Sequence, residues 1–71
     1  MILEIIDNAI IAAANSNTTI KNINLGSITY EQFIIEIRSY TNEEVVQINY
    51  YKGIPIFISS VPHRLTINFK A

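Results

Sequence analysis

The sequence predicts a two-layer α+β domain, with two helices packed on one face of an antiparallel sheet. Apolar residues recur at helical spacing in 2–15 and again in 29–40. From Glu44 onward the apolar period changes to two, which is typical of strands. A length of 71 residues allows one domain, so we expect residues 1–71 to form a single unit.

The composition is that of a globular protein near the lower size limit for independent folding. The chain is 49% hydrophobic, carries a net charge of -1 and contains no cysteine. For a chain of 8.1 kDa, burial of apolar surface stabilises the folded state by roughly 105 kcal/mol, and ordering the chain costs about the same. The two terms therefore nearly cancel. Disulfides are excluded, and the single histidine, His63, argues against a structural metal site. We therefore predict no cofactor, and either an efficient core or self-association.

The first predicted helix covers residues 2–15 and has an apolar face broader than one-sided packing needs. Glu4 and Asp7 lie near its N-terminus, where the helix dipole favours negative charge. Ile6 and Ile10 belong to the broad apolar face, whereas Ile11 lies within the polar arc. We expect these three isoleucines to lie on a surface for association.

The second predicted helix has a capping box, with Thr29 as the N-cap and Gln32 at the third helical position. Ile28 and Phe33 have the spacing of a hydrophobic staple. Ile35 projects away from the predicted core. Like Ile11, it is an apolar residue whose position is not explained by packing within the chain. The core-facing stripe consists of Tyr30, Phe33, Ile34, Ile37 and Tyr40.

Alternating apolar residues predict three strands at 44–50, 54–59 and 64–70, arranged as an antiparallel meander. Residues 22–25, closed by Gly26, fit either a short fourth strand or an extended linker. On the remaining face of the sheet, Phe57 is a third unexplained apolar residue.

The first hairpin allows two registers. A two-residue Lys52-Gly53 turn would place Ile54 on the same face as Asn49, whereas a three-residue loop over 51–53 aligns the apolar rows. We favour the three-residue loop, which pairs Tyr50 with Ile54. Pro55 cannot donate to a ladder, so its strand should be an edge or contain a bulge.

The residues that carry enzyme chemistry are not grouped in recognisable motifs. Gly26 and Gly53 stand alone, so no phosphate-binding loop is present. Ser59, Ser60 and His63 are close in sequence, but serines beside a turn histidine are common in loops. Five basic residues against six acidic ones do not give a nucleic-acid footprint. We therefore predict a protein that is not an enzyme.

The unexplained apolar residues favour a non-enzymatic protein-interaction module. The predicted surface for a partner or for self-association consists of Ile6, Ile10, Ile11, Ile35 and Phe57. A composition rich in isoleucine and asparagine fits an AT-rich genome, which suggests a small phage or mobile-element accessory protein that inhibits or masks a host protein. The segment 51–58, followed by Val61-Pro62, resembles a strand segment of tailed-phage head proteins, and this resemblance implies no functional residue.

Two alternatives remain open. One is a homo-oligomeric building block such as a virion component, in which the apolar surface makes self-contacts. The other is an oligomeric protein that sequesters a nucleotide-type small ligand, with polar contacts from Tyr51, Lys52, His63 and Arg64. The segment after Met1 has no signal-peptide pattern and the run 9–14 is too short to span a bilayer, so we expect a cytoplasmic protein without a membrane partner.

Overall fold

The computed structural model describes residues 1–70 and confirms the α+β class. The four strands form one sheet in the order β2-β3-β1-β4, and the helices cover one of its faces. The elements are α1 (Ile2–Asn15), β1 (Ile20–Gly26), α2 (Ser27–Thr41), β2 (Tyr50–Tyr51), β3 (Ile54–Ser59) and β4 (Leu65–Phe69). The first helix therefore has the predicted bounds.

The sheet is mixed, whereas the sequence predicted an antiparallel one. β1 contains residues 22–25 and lies in the interior of the sheet, parallel to β3 and antiparallel to β4. Since α2 carries the chain back across one face, β3 begins at the same end of the sheet as β1. The predicted meander is wrong at this point, because β1 separates β3 from β4.

The loop between β3 and β4 crosses over the end of β1 at Gly26. The Gly26 N–H donates to the Arg64 carbonyl at 2.8 Å. A Cβ atom at this position would overlap the carbonyl oxygens of Val61 and Pro62. Glycine therefore allows the loop to pass and to place β4 on the far side of β1.

The same loop supplies the cap of α2. The helix begins at Ser27 with Gly26 as its N-cap, and no side chain caps it. Instead, the Pro62 carbonyl accepts the N–H groups of Ile28 at 3.0 Å and Thr29 at 3.3 Å. The predicted capping box is therefore wrong, because a distant backbone carbonyl satisfies the N–H groups that a cap residue would bind.

The β2–β3 hairpin has a two-residue turn, which corrects the predicted three-residue loop. Tyr51 pairs with Ile54, and the turn residues Lys52 and Gly53 have φ angles of 50° and 80°. Positive φ at both positions is the type I′ geometry that matches the twist of a hairpin. This register turns Tyr51 inward, where its ring meets Phe33 edge-on at a centroid distance of 5.5 Å.

The two-residue turn also explains why β2 contains only Tyr50–Tyr51 rather than the predicted 44–50. In the observed register an extended strand would point Ile48 and Val46 away from the helices, because a one-residue slip exchanges the two faces. The chain instead leaves the sheet, and Ile48 packs against the core. Val46 is 79% exposed.

Pro55 lies in an interior strand without a bulge, contrary to the prediction. Tyr50 and Pro55 face each other next to the hydrogen-bonded pair Tyr51 and Ile54, so the proline nitrogen points away from β2. Pairing between β3 and β1 begins only at Ile56. The proline is tolerated because neither neighbour requires an N–H group at that position.

The core lies between the helices and the inner face of the sheet. Ile6 is fully buried and is the main contribution of α1, together with Ala13. The stripe of α2 is confirmed at its centre, whereas Tyr40 is 87% exposed at the end of the helix. The buried hydrophobic residues are Ile6, Ala13, Ile20, Ile23, Leu25, Phe33, Ile34, Ile37 and Ile56.

We predict that Gly26→Ala destabilises the fold by about 3 kcal/mol or more, because the new methyl group overlaps backbone that cannot move freely. Gly53→Ala is the matched control: its Cβ meets nothing within 4 Å, so only the positive φ is strained, at about 1 kcal/mol. Both changes restrict the unfolded chain equally. Urea denaturation of the two variants measures the difference, and equal losses would contradict the role of Gly26.

Candidate functional site

The face of the sheet that points away from the helices, here called the outer face, has an apolar half and a polar half. Tyr50 and Pro55 are paired across β2 and β3, and Phe57 follows on the same side of β3. These three residues, called the apolar row below, lie side by side. Tyr50 is 64% exposed and Phe57 is 53% exposed.

The polar half of the outer face is formed by β1 and β4. Phe57 is directly opposite Asn24, which in turn pairs with Thr66. One step along the sheet the Asn68 side-chain amide donates to the Asn22 side-chain oxygen at 2.8 Å. The outer face therefore combines exposed rings with amide and hydroxyl groups, a mixture typical of protein-binding surfaces.

The residues predicted as an association surface do not form one patch. Ile6 is 0% exposed, so its prediction as a surface residue is wrong: it fills the centre of the core. Ile10 is half-buried and packs against that core. Ile11 on α1, Ile35 on α2 and Phe57 on the outer face are exposed at three separate places.

The residues predicted as polar ligand contacts are divided between the two ends of β3. Tyr51 and Lys52 precede the strand, whereas His63 and Arg64 follow it in the loop that crosses Gly26. A single copy of the chain therefore does not bring these four residues into one site.

Around Tyr51 and Lys52 the structure forms a small polar cluster with Asp7 of α1. The Tyr51 hydroxyl donates to Asp7 Oδ1 at 2.8 Å, and Lys52 Nζ lies 3.1 Å from the same oxygen. Lys52 Nζ is also 5.4 Å from the centroid of the Tyr51 ring. Burial and the hydrogen bond to Asp7 raise the pKa of Tyr51, while the hydrogen bond to Asp7 and the nearby Tyr51 and Asp7 charges raise the pKa of Lys52.

This cluster joins α1 to the hairpin turn rather than presenting a free reactive group. The side chains of Lys52 and Asp7 are 56% and 38% exposed, so water screens their ion pair and the pair adds little to the stability of the fold. The Tyr51 ring contributes more, because it packs against Phe33 in the core.

A second carboxylate, that of Glu36 on α2, caps the N-terminus of α1. Its two oxygens accept the N–H groups of Leu3 at 2.9 Å and Ile2 at 3.1 Å. Burial, the largest single influence, raises the pKa of Glu36. The hydrogen bonds from Leu3, Ile2 and Gln32 together outweigh it and hold the pKa below its ordinary value of 4.5.

Between α1, the end of α2 and the hairpin turn lies an open cleft of about 650 Å³. Its polar lining includes Asp7, Glu36 and Lys52, with Tyr40 and Ile37 among the other lining residues. Asp7 and Glu36 already bind groups of this chain, so a ligand would have to compete with the contacts that hold α1 in place. The cleft therefore supports a small-ligand site less well than the outer face supports a protein partner.

Within residues 1–70, no group of three or more His, Cys, Asp or Glu side chains could hold a metal ion. In the same part of the chain, no helix has the length and apolar character required to cross a bilayer.

We predict that acid weakens the fold through Glu36. Since its pKa in the folded state is below 4.5, its contribution is complete above about pH 4.5 and is lost as the pH falls through the folded value. Glu36→Gln should cost about 1 kcal/mol at neutral pH, as loss of a helix cap does, and should flatten the acid limb of stability against pH. Urea denaturation between pH 3 and 7 tests this. The control Glu31→Gln, on the exposed side of the same helix, should keep the steeper acid limb of the unchanged protein.

No protein family, curated protein or solved structure matches the chain. Its own surfaces are therefore the basis for assigning a function.

Proposed function

We propose that the chain is a non-enzymatic protein-interaction module that binds another protein through the apolar row of the outer face. The observation that carries this proposal is the exposure of Tyr50 and Phe57 beside Pro55 on a face that neither helix covers. Burying a side chain of the size of phenylalanine contributes roughly 1.5–3 kcal/mol. The row can therefore serve as the apolar centre of an interface.

The neighbouring polar residues suit the rim of such an interface. Asn24 and Thr66 are uncharged and can exchange hydrogen bonds with water for hydrogen bonds with a partner. That the partner is a host protein whose activity is masked remains a prediction from composition.

Self-association through β4 is the second candidate. This strand contains no charged residue and pairs only with β1, so its other edge is open to a further strand. An antiparallel pairing centred on Ile67, however, would place Arg64 of one copy opposite Lys70 of the other. Like charges directly opposite are destabilising, which ranks this candidate below the outer face.

We predict that Phe57→Ser weakens partner binding at least about tenfold while lowering the free energy of unfolding by only about 1 kcal/mol, because about half of the side chain is already exposed. Ile35→Ser is the matched control, because Ile35 is an equally exposed apolar residue on a helix. Its substitution should leave binding unchanged.

The partner is identified by photo-crosslinking with benzoylphenylalanine at position 57 or 35, in cells that produce the protein. A discrete adduct from position 57 alone, lost on Tyr50→Ser, supports the proposal. An adduct of twice the mass of the chain favours self-association instead. No adduct from position 57, or equal adducts from both positions, overturns it.

A further inference from the structure

Residues 43–49, here called the strap, connect α2 to β2 without regular structure, although their sequence alternates as a strand does. Two side chains of α2 hold the strap. The Tyr30 hydroxyl accepts the Ile48 N–H at 2.8 Å and donates to the Ile48 carbonyl at 3.2 Å. Arg38 Nε donates to the Val45 carbonyl at 2.5 Å. These contacts hold the strap against α2 through the backbone of Ile48 and Val45.

The edge that the strap would pair with is left open. The Ile56 N–H donates to the Asn49 carbonyl at 2.8 Å, so the ladder continues one step beyond β2 and then stops. Backbone groups along a strand alternate in direction, so the N–H and C=O of Ile58 point to the same edge as those of Ile56. Ile58 is 60% exposed, and β2 reaches no further than Tyr50.

We infer that this edge of β3 is a second binding place for the strap, which docks there by extending β2. Continuing the observed register puts Ile48 opposite Phe57 and Val46 opposite Ser59. In this zipped state the strap loses its hydrogen bonds with Tyr30 and Arg38, and Gln47, opposite Ile58, forms the new ladder bonds. Ile48 leaves the core and joins Val46 on the outer face, next to Tyr50 and Phe57.

The two positions of the strap expose different surfaces. In the observed position the β3 edge is open and the apolar row is short. In the zipped position the strap covers the edge, and its apolar side chains lengthen the row. A partner on the outer face, as proposed above, contacts more apolar surface in the zipped state and so shifts the population toward it. This coupling rests on the proposed function, whereas the existence of the zipped state does not.

The zipped state is tested by cross-linking the purified protein, which contains no cysteine of its own. In the pair Val46→Cys and Ser59→Cys, the thiols face each other across the extended ladder, and neither site belongs to the buried core. We expect this pair to form a disulfide under mild oxidation. In the control pair, Val46→Cys with Ile58→Cys, the two positions face each other only if the hairpin slips to the register of a three-residue loop. Faster closure of the control pair, or closure of neither pair, overturns the inference.

A second measurement tests the contact that holds the strap in its observed position. Tyr30→Phe, added to the Val46→Cys and Ser59→Cys pair, removes the hydroxyl that binds Ile48 and so raises the zipped fraction, and we expect the disulfide to close about tenfold faster. Tyr40→Phe, an exposed site on the same helix, should leave the closure rate unchanged. An unaltered rate with Tyr30→Phe, or an equal rise with both changes, contradicts the zipped state. No partner is present in either experiment, so a negative result here does not contradict the proposed function. Likewise, a negative result of the Phe57 test does not contradict the zipped state.

Discussion

The strand order depends on one close approach, the passage of the β3–β4 loop over Gly26. The same few atoms perform two tasks, because the Pro62 carbonyl that lies over Gly26 also binds the first N–H groups of α2. A side chain at position 26 would displace both the loop and the helix cap. The loop crosses β1 at this point to give the order β2-β3-β1-β4, so the displacement would strain the passage on which that order depends.

The type I′ turn at Lys52-Gly53 imposes the second constraint, and it conflicts with the hydrophobic pattern before it. The turn pairs Tyr51 with Ile54 and so sends Tyr51 into the core against Phe33. The alternating residues upstream would then face outward, and only Tyr50 does so as part of β2. The turn geometry therefore sets the register against the hydrophobic pattern of residues 43–49. Because of this conflict the strap has two alternative binding places, the side chains of α2 and the edge of β3.

The periodicity of the sequence was sufficient to predict both helices, the last two strands and the α+β class, because it reports the local backbone conformation and the apolar face of each element. It was not sufficient for the strand order, since the carbonyl that passes over Gly26 lies 36 positions later in the sequence, at Pro62. The same reason applies to Ile6: its helix has a wide apolar face, and only the packing shows which part of that face the core uses. A Lys-Gly turn was a local signal for the observed register, but the apolar alignment outweighed it in the prediction.

Both helices begin without a local side-chain cap, and distant groups replace it: Glu36 for α1 and Pro62 for α2. These contacts fix both helices on the inner face of the sheet. No helix therefore covers the outer face. A small chain in this position has two ways to protect exposed strands, namely a partner or its own irregular segments. The strap lies beside the open β3 edge, and the apolar row lies on the uncovered face of β2 and β3. The proposed partner site and the strap are therefore at the same side of the sheet. Partner binding and strap position are for this reason expected to be coupled rather than independent properties of the fold.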